Sequence, residues 1–376
     1  MTVSLCIVAY NEVRNLAQLL GQVFSQSYPK EKTELVLTDS ASTDGTKDIL
    51  LAFAREHQQE YLSIQVLDNP KKSQAAGWNT AISHAIGDVI IRLDAHAEIP
   101  QDFIEQNIAL IAGGEYVCGG ARPNKADEDT PMKNLLLVAE SSMFGSSPAG
   151  YRRKSGEKKY VSSVFHGAYR REVFGKVGGF NEDLGRTEDN ELHYRIRKAG
   201  YQICQGSDIV SFQYVRGTFS SMLRQKYGNG KWIGLTMSVC YQCISSFHFI
   251  PFFFVILLIC SLLLFVSSFI TGLQWMMIPF LLVFGTYLLA DIMMSATAFV
   301  GAEKKHVNLL LLPFIFFLLH CAYGLGTAAG LLQIPFWRHK VKKQAKQSGI
   351  SAKDTIEKVR QSVIHNTRTK TEEAET

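Results

Sequence analysis

The chain is poor in cysteine: seven are scattered over 376 residues, and Cys6, Cys260 and Cys321 lie inside apolar runs. This excludes a disulfide framework and fits buried thiols in a reducing compartment. Cys240 and Cys243 form a lone CxxC, which without a second pair makes neither a zinc nor a redox motif. There is no internal repeat, which excludes a solenoid or propeller. The net charge of +5 is modest and no basic stripe interleaved with aromatics is present, so nucleic acid is not an expected partner. No basic segment precedes the apolar run that begins at Val3. A secretory leader is therefore not expected, and the polar part is expected to stay in the cytosol.

Charge is nearly missing between Phe249 and Phe336. The runs 249–270, 275–299 and 307–332 are each long enough to span a bilayer, which takes about 20 residues. Lys304, Lys305, Arg338, Lys340, Lys342, Lys343 and Lys346 cluster beside them, a pattern that favours anionic headgroups and the cytoplasmic side. Three full crossings from a cytosolic start would leave the tail beyond Arg338 outside, against that preference. The run 307–332, with Pro313 and with Gly324, Gly326 and Gly330, is the one expected to bend or to lie at the interface. The segment 221–248 mixes Met222, Leu223, Tyr227, Trp232 and Ile233 with Arg224, Lys226 and Lys231 and is expected at the membrane surface. The tail 336–376 is basic and then acidic (Glu372, Glu373, Glu375) and is expected to be only partly ordered.

What remains alternates strand and helix. Apolar runs at 3–9, 34–38, 64–67 and 89–93 read as strands, separated by helical spacing at 13–23, 46–54 and 75–85. Such alternation implies right-handed βαβ units and a parallel sheet. The segment 119–161 is less regular, with a basic loop through Arg152, Arg153, Lys154, Lys158 and Lys159.

Four polar clusters punctuate this part. Ala9-Tyr10-Asn11-Glu12 ends the first strand and Thr38-Asp39-Ser40-Ala41-Ser42-Thr43-Asp44-Gly45-Thr46 the second. Asp94-Ala95-His96 ends the fourth, and Thr187-Glu188-Asp189-Asn190-Glu191 comes later. The first three lie at carboxyl ends of parallel strands, where one crevice collects them. An Asp and a His two residues apart there suggest a divalent cation, and a cation there suggests a phosphate-bearing substrate. A turn former or helix cap is the plain alternative.

In this order the segments resemble the family 2 glycosyltransferases: a strand into Tyr-Asn-Glu, a strand into an acidic D-x-x-S-x-D-G-T loop, a DxD-type motif, Gly178-Gly179-Phe180, and a Glu-Asp pair. Asp-Ala-His and Gly167-Ala168-Tyr169-Arg170-Arg171 are similar to the membrane-attached, succinoglycan-assembly type. The resemblance implies an α/β GT-A nucleotide-diphospho-sugar transferase domain with a mostly parallel sheet over 1–220. An interfacial segment (221–248) and a C-terminal all-α membrane domain (249–335) would follow.

It also implies roles. Ala9, Tyr10, Asn11, Glu12, Asp39, Asn79 and Asp94 would meet the nucleotide-sugar donor. Asp44 would either do likewise or cap the helix from Thr46, and Lys71 and Lys72 would either approach phosphate or stay solvated. Asp94 and His96 would hold Mg2+ or Mn2+. The family's usual motif has a second Asp where this chain has His96, and imidazole suits Mn2+ better. Asp189 would be the general base, with Glu188 and Glu191 as fallbacks and a helix-start acid as the structural alternative. His166, Gly179, Phe180 and Glu188 would lie on the acceptor side, and Arg170 and Arg171 would either meet a lipid diphosphate or pair structurally.

One acceptor-side base favours inversion. The Gln-x-x-Arg-Trp motif of processive synthases is missing, since Gln225 is out of register with Gly230-Lys231-Trp232, which favours adding one sugar or few. The implied protein is a multi-pass plasma-membrane glycosyltransferase with its catalytic domain facing the cytoplasm. It would act on a lipid-linked saccharide or polyprenol acceptor in bacterial surface-polysaccharide assembly, with membrane lipid as a further partner. A polyprenol-phosphate sugar synthase and a non-catalytic membrane scaffold are the alternatives.

Overall fold

The computed structural model describes residues 1–146 and 156–375. Arg152, Arg153 and Lys154 of the basic loop lie outside the described residues, as do the side chains of Glu372, Glu373 and Glu375.

The first half follows the alternation read from the sequence: β1 Val3–Ala9, α1 Leu16–Phe24, β2 Thr33–Asp39, α2 Thr46–His57, β3 Ser63–Asp68, α3 Gln74–His84 and β4 Val89–Asp94. Then come β5 Ala97–Glu98, α4 Phe103–Ala112, β6 Val117–Ala121, β7 Asn124–Lys125, α5 Pro131–Ser141, β8 Lys159–Tyr160 and β9 Ala168–Arg170. They are followed by α6 Arg171–Val177, α7 Glu188–Lys198, β10 Ile203–Val210 and β11 Phe212–Tyr214. The main sheet runs β3-β2-β1-β4-β9-β6-β10-β8. The strands β3, β2, β1 and β4 are parallel; β9 runs antiparallel between β4 and β6. Every residue of β2 and β4 is buried, as expected for parallel strands covered on both faces. Two apolar clusters cover those faces, one with α1, α2 and α4, the other with α3, α6 and α7.

Four long helices follow: α8 Phe219–Thr236, α9 Ile250–Thr271, α10 Ile278–Gly301 and α11 Leu312–Ser348, before a last helix, α12 Ala352–Glu375. Three helical segments are long and apolar enough to cross a membrane: Ser246–Thr271, Gln274–Gly301 and Val307–Ser348. The chain forms two compact units: Met1–Pro123 with Ala149–Gln213 and Lys340–Thr376, and Asn124–Pro148 with Tyr214–His339.

In the second unit α5 buries Leu135, Leu136 and Ala139 against Leu309, Leu312, Ile315, Phe316 and Leu319 at the start of α11. Gly228 and Gly230 do not break α8, although glycine is a poor helix residue. Gly230 of α8 and Gly326 of α11 let the two backbones approach, because a Cβ at either would strike the other helix's carbonyl oxygens, the way small residues serve helix pairs in lipid.

The tail differs from expectation. Residues 352–375 are helical, and α12 packs on α3 and α6 of the first unit. Ile356, Val359 and Val363 recur at helical spacing, and the two valines are fully buried. With the adjacent Ile364, four branched apolar residues in so polar a segment are a faint signal, yet they suffice once a matching groove exists.

Candidate active site

The parallel registers set Asp39 beside Ala9 and Asp94 beside Val8, so three strand ends finish level. The first two end loops are laced together. Asn11, at φ 53, a left-handed conformation that Asn tolerates, donates from its backbone to Ser42 Oγ (3.0 Å) and accepts from the Thr43 N–H (2.9 Å). Glu12 N–H donates to Thr46 Oγ1 at 2.8 Å. Asp39 is buried and accepts from Ser42 N–H at 3.2 Å. Asp44 accepts from the Thr46 N–H (3.1 Å) and hydroxyl (2.6 Å) and from Val13 N–H (3.2 Å). Of its two expected roles, this is the structural one, at the start of α2. Tyr10 stands half-exposed at the rim.

At the end of β4 the Asp94 carboxylate is buried. Its Oδ1 accepts from Gln74 Nε2 at 3.2 Å, and its Oδ2 lies 3.7 Å from His166 Nε2. Burial pushes this carboxyl up, but His166, Arg92 and His96 around it more than offset that and hold it well below the usual carboxylate range.

Two residues earlier on β4, Arg92 is buried too. Its guanidinium pairs with both carboxylate oxygens of Asp189, the Nη2–Oδ2 bond measuring 2.8 Å, and also donates to Phe165 O at 3.2 Å. The rings of Trp78, Phe180 and Phe165 surround it at 5.1, 5.5 and 5.7 Å. Arg92 was read from sequence only as part of a strand. Glu188, next to Asp189 at the start of α7, is buried; desolvation and then the Asp189 charge push its carboxyl up to about 8.

The other expected site residues are placed as follows. His96 has both ring nitrogens engaged, Nδ1 with Glu12 Oε1 at 2.9 Å and Nε2 with Gln213 Nε2 at 3.1 Å; it bridges the first loop to β11. His166, expected near the acceptor, lies against Asp94. Asn79, expected on the donor, spends its amide on the Phe180 N–H (2.7 Å) and carbonyl (2.9 Å) and on Glu182 (3.0 Å).

Phe180, expected on the acceptor side, is fully buried beside Arg92. Gly179 lies under α12, its N–H donating to Ile356 O at 3.2 Å. Glu188, expected on the acceptor side, is buried beside Asp189. The fallback Glu191 is paired with Arg195 at 2.7 Å. Lys71 pairs with Glu182 at 2.6 Å. Arg170 and Arg171 donate to backbone carbonyls of Glu115, Ile111 and Gly87, the structural one of their two expected roles.

A divalent ion is what the fold family implies here. Among the described residues no group of three or more His, Cys, Asp or Glu side chains converges into a ready cage. The residues nevertheless fit an ion that also takes substrate phosphate and water, since such ions are held by one or two protein groups. Asp94 is ionised, and the buried His166 Nε2 beside it has no hydrogen-bond partner.

Residues 4–178 match the family model of glycosyl transferase family 2. The putative glycosyltransferase EpsE of Bacillus subtilis is 41% identical over 245 residues, covering 57% of this chain and 85% of that protein. The succinoglycan biosynthesis protein ExoA of Rhizobium meliloti is 30% identical over 236 residues, 61% of this chain and 68% of its own. A dolichyl N-acetyl-alpha-D-glucosaminyl phosphate 3-beta-D-2,3-diacetamido-2,3-dideoxy-beta-D-glucuronosyltransferase of Methanococcus voltae is 26% identical over 88% of this chain and 97% of its own. In fold, the chain is similar to the mannosyltransferase PcManGT of Pyrobaculum calidifontis, solved in complex with GDP-Man and Mn2+, at a TM-score of 0.53 and 20% identity over 88% of this chain and 86% of that one. With its first unit a GT-A-like α/β domain, this chain is a glycosyltransferase and belongs to glycosyl transferase family 2.

Proposed function

We propose that the chain moves one sugar from a nucleotide-diphosphate donor to a hydroxyl of a lipid-linked saccharide, with inversion, in cell-surface polysaccharide assembly. The observation that carries this is the Arg92–Asp189 pair. A buried guanidinium ties the candidate base to the strand that ends, two residues later, in Asp94. Base and donor site therefore share one centre. Asp189 takes the acceptor's proton as the new bond to the anomeric carbon forms and the bond to the diphosphate breaks. A divalent ion, Mg2+ or Mn2+, at Asp94 would stabilise the charge on the departing nucleoside diphosphate as a Lewis acid. The interlocked loops at Asn11 and Asp39 frame the nucleotide. The missing Gln-x-x-Arg-Trp motif supports addition of one sugar rather than a polymer. The names of the Methanococcus voltae and Rhizobium meliloti relatives support a lipid-linked acceptor and polysaccharide assembly.

A second reading, transfer to a polyprenol phosphate itself, is favoured by one fact: the Asp189 carboxylate is already engaged by the Arg92 guanidinium, and a phosphate acceptor needs no base. An undecaprenyl-phosphate 4-deoxy-4-formamido-L-arabinose transferase of Salmonella is 31% identical over 161 residues, 40% of this chain. Asp189→Asn decides between them. For a hydroxyl acceptor it should lower turnover by roughly 100- to 10,000-fold while calorimetry shows nucleoside diphosphate binding unchanged; near-normal turnover assigns the phosphate acceptor.

The membrane part supports an even number of crossings. The chain leaves its first unit at Gln213 and returns at Lys340, so both flanks of the apolar region end on one side. We assign the crossings to α9 and α10. The segment Val307–Ser348 is more buried in protein than the other two, and we place it at the interface. The catalytic unit then faces the cytoplasm, where nucleotide sugars are made, and the protein sits in the plasma membrane.

A further inference from the structure

We propose that His166, together with Asp94, is the protein's ligand pair for the divalent ion, and that His96 instead fixes the nucleotide loop. This rests on the metal-dependent reading above.

The placement follows from strand register. β9 pairs antiparallel with β4, Ile91 facing Ala168, and Arg92 N–H donates to Gly167 O at 2.9 Å. One step further along the same pairing, His166 comes level with Leu93, the neighbour of Asp94. It is 3% exposed. Its Nδ1 is 2.7 Å from Ser211 Oγ, a hydroxyl able to accept the Nδ1 proton and so leave a lone pair on Nε2, the arrangement that orients metal-bound histidines. Nε2 has no hydrogen-bond partner and faces Asp94 Oδ2 at 3.7 Å. A buried polar atom left unmet is costly, and 3.7 Å is too long for a direct hydrogen bond. Two ligands each about 2.0–2.2 Å from one ion lie about 3 Å apart at a right angle and about 3.7 Å apart at 120°. The 3.7 Å gap is somewhat wider than the roughly 3 Å between neighbouring ligands of an octahedral ion, so the two side chains would close slightly on a shared ion.

His96 offers no comparable nitrogen. Glu12 and Gln213 hold its ring, and Glu12 N–H in turn bonds Thr46, so His96 ties the Tyr-Asn-Glu loop in place. One carboxylate and one imidazole, completed by phosphate and water, favour Mn2+ over Mg2+.

The test is pulsed electron paramagnetic resonance of Mn2+ bound to the full chain in detergent with UDP, and in parallel with GDP, reading the nitrogen modulation of a directly bound imidazole. Wild type and His96→Gln should show it. His166→Gln should lose it and bind Mn2+ more weakly by roughly tenfold or more. Should His166→Gln fail to fold, Ser211→Ala keeps the imidazole and should retain the modulation with weakened Mn2+ affinity. Bound Mn2+ without modulation, modulation that survives His166→Gln, or modulation lost in His96→Gln overturns the His166 assignment alone. No bound Mn2+ in wild type with either nucleotide overturns the metal-dependent reading itself.

Discussion

Arg92 and Asp189 are 97 positions apart in the chain and form a two-pronged ion pair, with Nη2 donating to Oδ2 at 2.8 Å. Arg92 is almost wholly buried, whereas the Asp189 side chain keeps 19% of its surface in solvent. The cation is enclosed, and the anion remains partly open to solvent.

Removing one member of such a pair strands the other. Arg92→Gln should cost about 3 kcal/mol, the low end for a broken buried pair because Asp189 is part-exposed. Unfolding of the full chain in detergent measures it. In a double-mutant cycle with Asp189→Asn the coupling should exceed about 1 kcal/mol; strictly additive losses would show that the pair contributes nothing.

Glu188 should make stability fall as pH rises. Its folded carboxyl sits at about 8, far above an unfolded value of about 4.3. The folded state thus binds the extra proton between these limits. Its contribution is full below the lower limit and is lost as pH climbs through the upper one, at a slope of up to about 1.4 kcal/mol per pH unit. Glu188→Gln should flatten the stability difference between pH 5 and pH 8; an unchanged slope rules the assignment out.

Gly178 sits at φ 75, and a Cβ there would meet Ile356 O of α12 at 2.5 Å. Gly178→Ala should therefore strain the backbone and lift α12, at a cost of about 1–3 kcal/mol. Limited proteolysis reads this directly, as faster cleavage within residues 352–375 of the variant than of the wild type.

The side of the membrane is open to labelling. Ser348→Cys, with the exposed Cys260 replaced, should react with an impermeant maleimide only after cells are lysed. Reaction in intact cells would place an odd number of crossings between the two halves of the first unit.

The sheet was legible because β1, β2 and β4 are continuous apolar runs ended by polar clusters, a pattern local to each segment. The crevice at Ala9, Asp39 and Asp94 follows from that alone. What sequence could not give was direction across the fold. Phe180 and Asn79 carry motif positions, yet one walls the Arg92 guanidinium and the other clasps the turn. Both roles depend on α3 and the Gly178-Gly179-Phe180 turn meeting, some 100 residues apart. Arg92, and the closeness of His166 to Asp94, escaped for the same reason: Arg92 pairs with a distant helix, and His166 reaches β4 only through the antiparallel strand β9. The fit of α12 was hidden because a few apolar residues in a polar tail become a face only when Gly178 and Gly179 leave room for them.

That last contact also orders the protein's assembly in time. Chains fold from the amino end as they are synthesised, but the apolar cluster between α3 and α6 includes Val359 and Val363. These emerge from the ribosome only after α9, α10 and the apolar part of α11. The first unit is thus closed only once the lipid-seeking segments have been made, and a chain stalled before insertion would carry an open seam between α3 and α6.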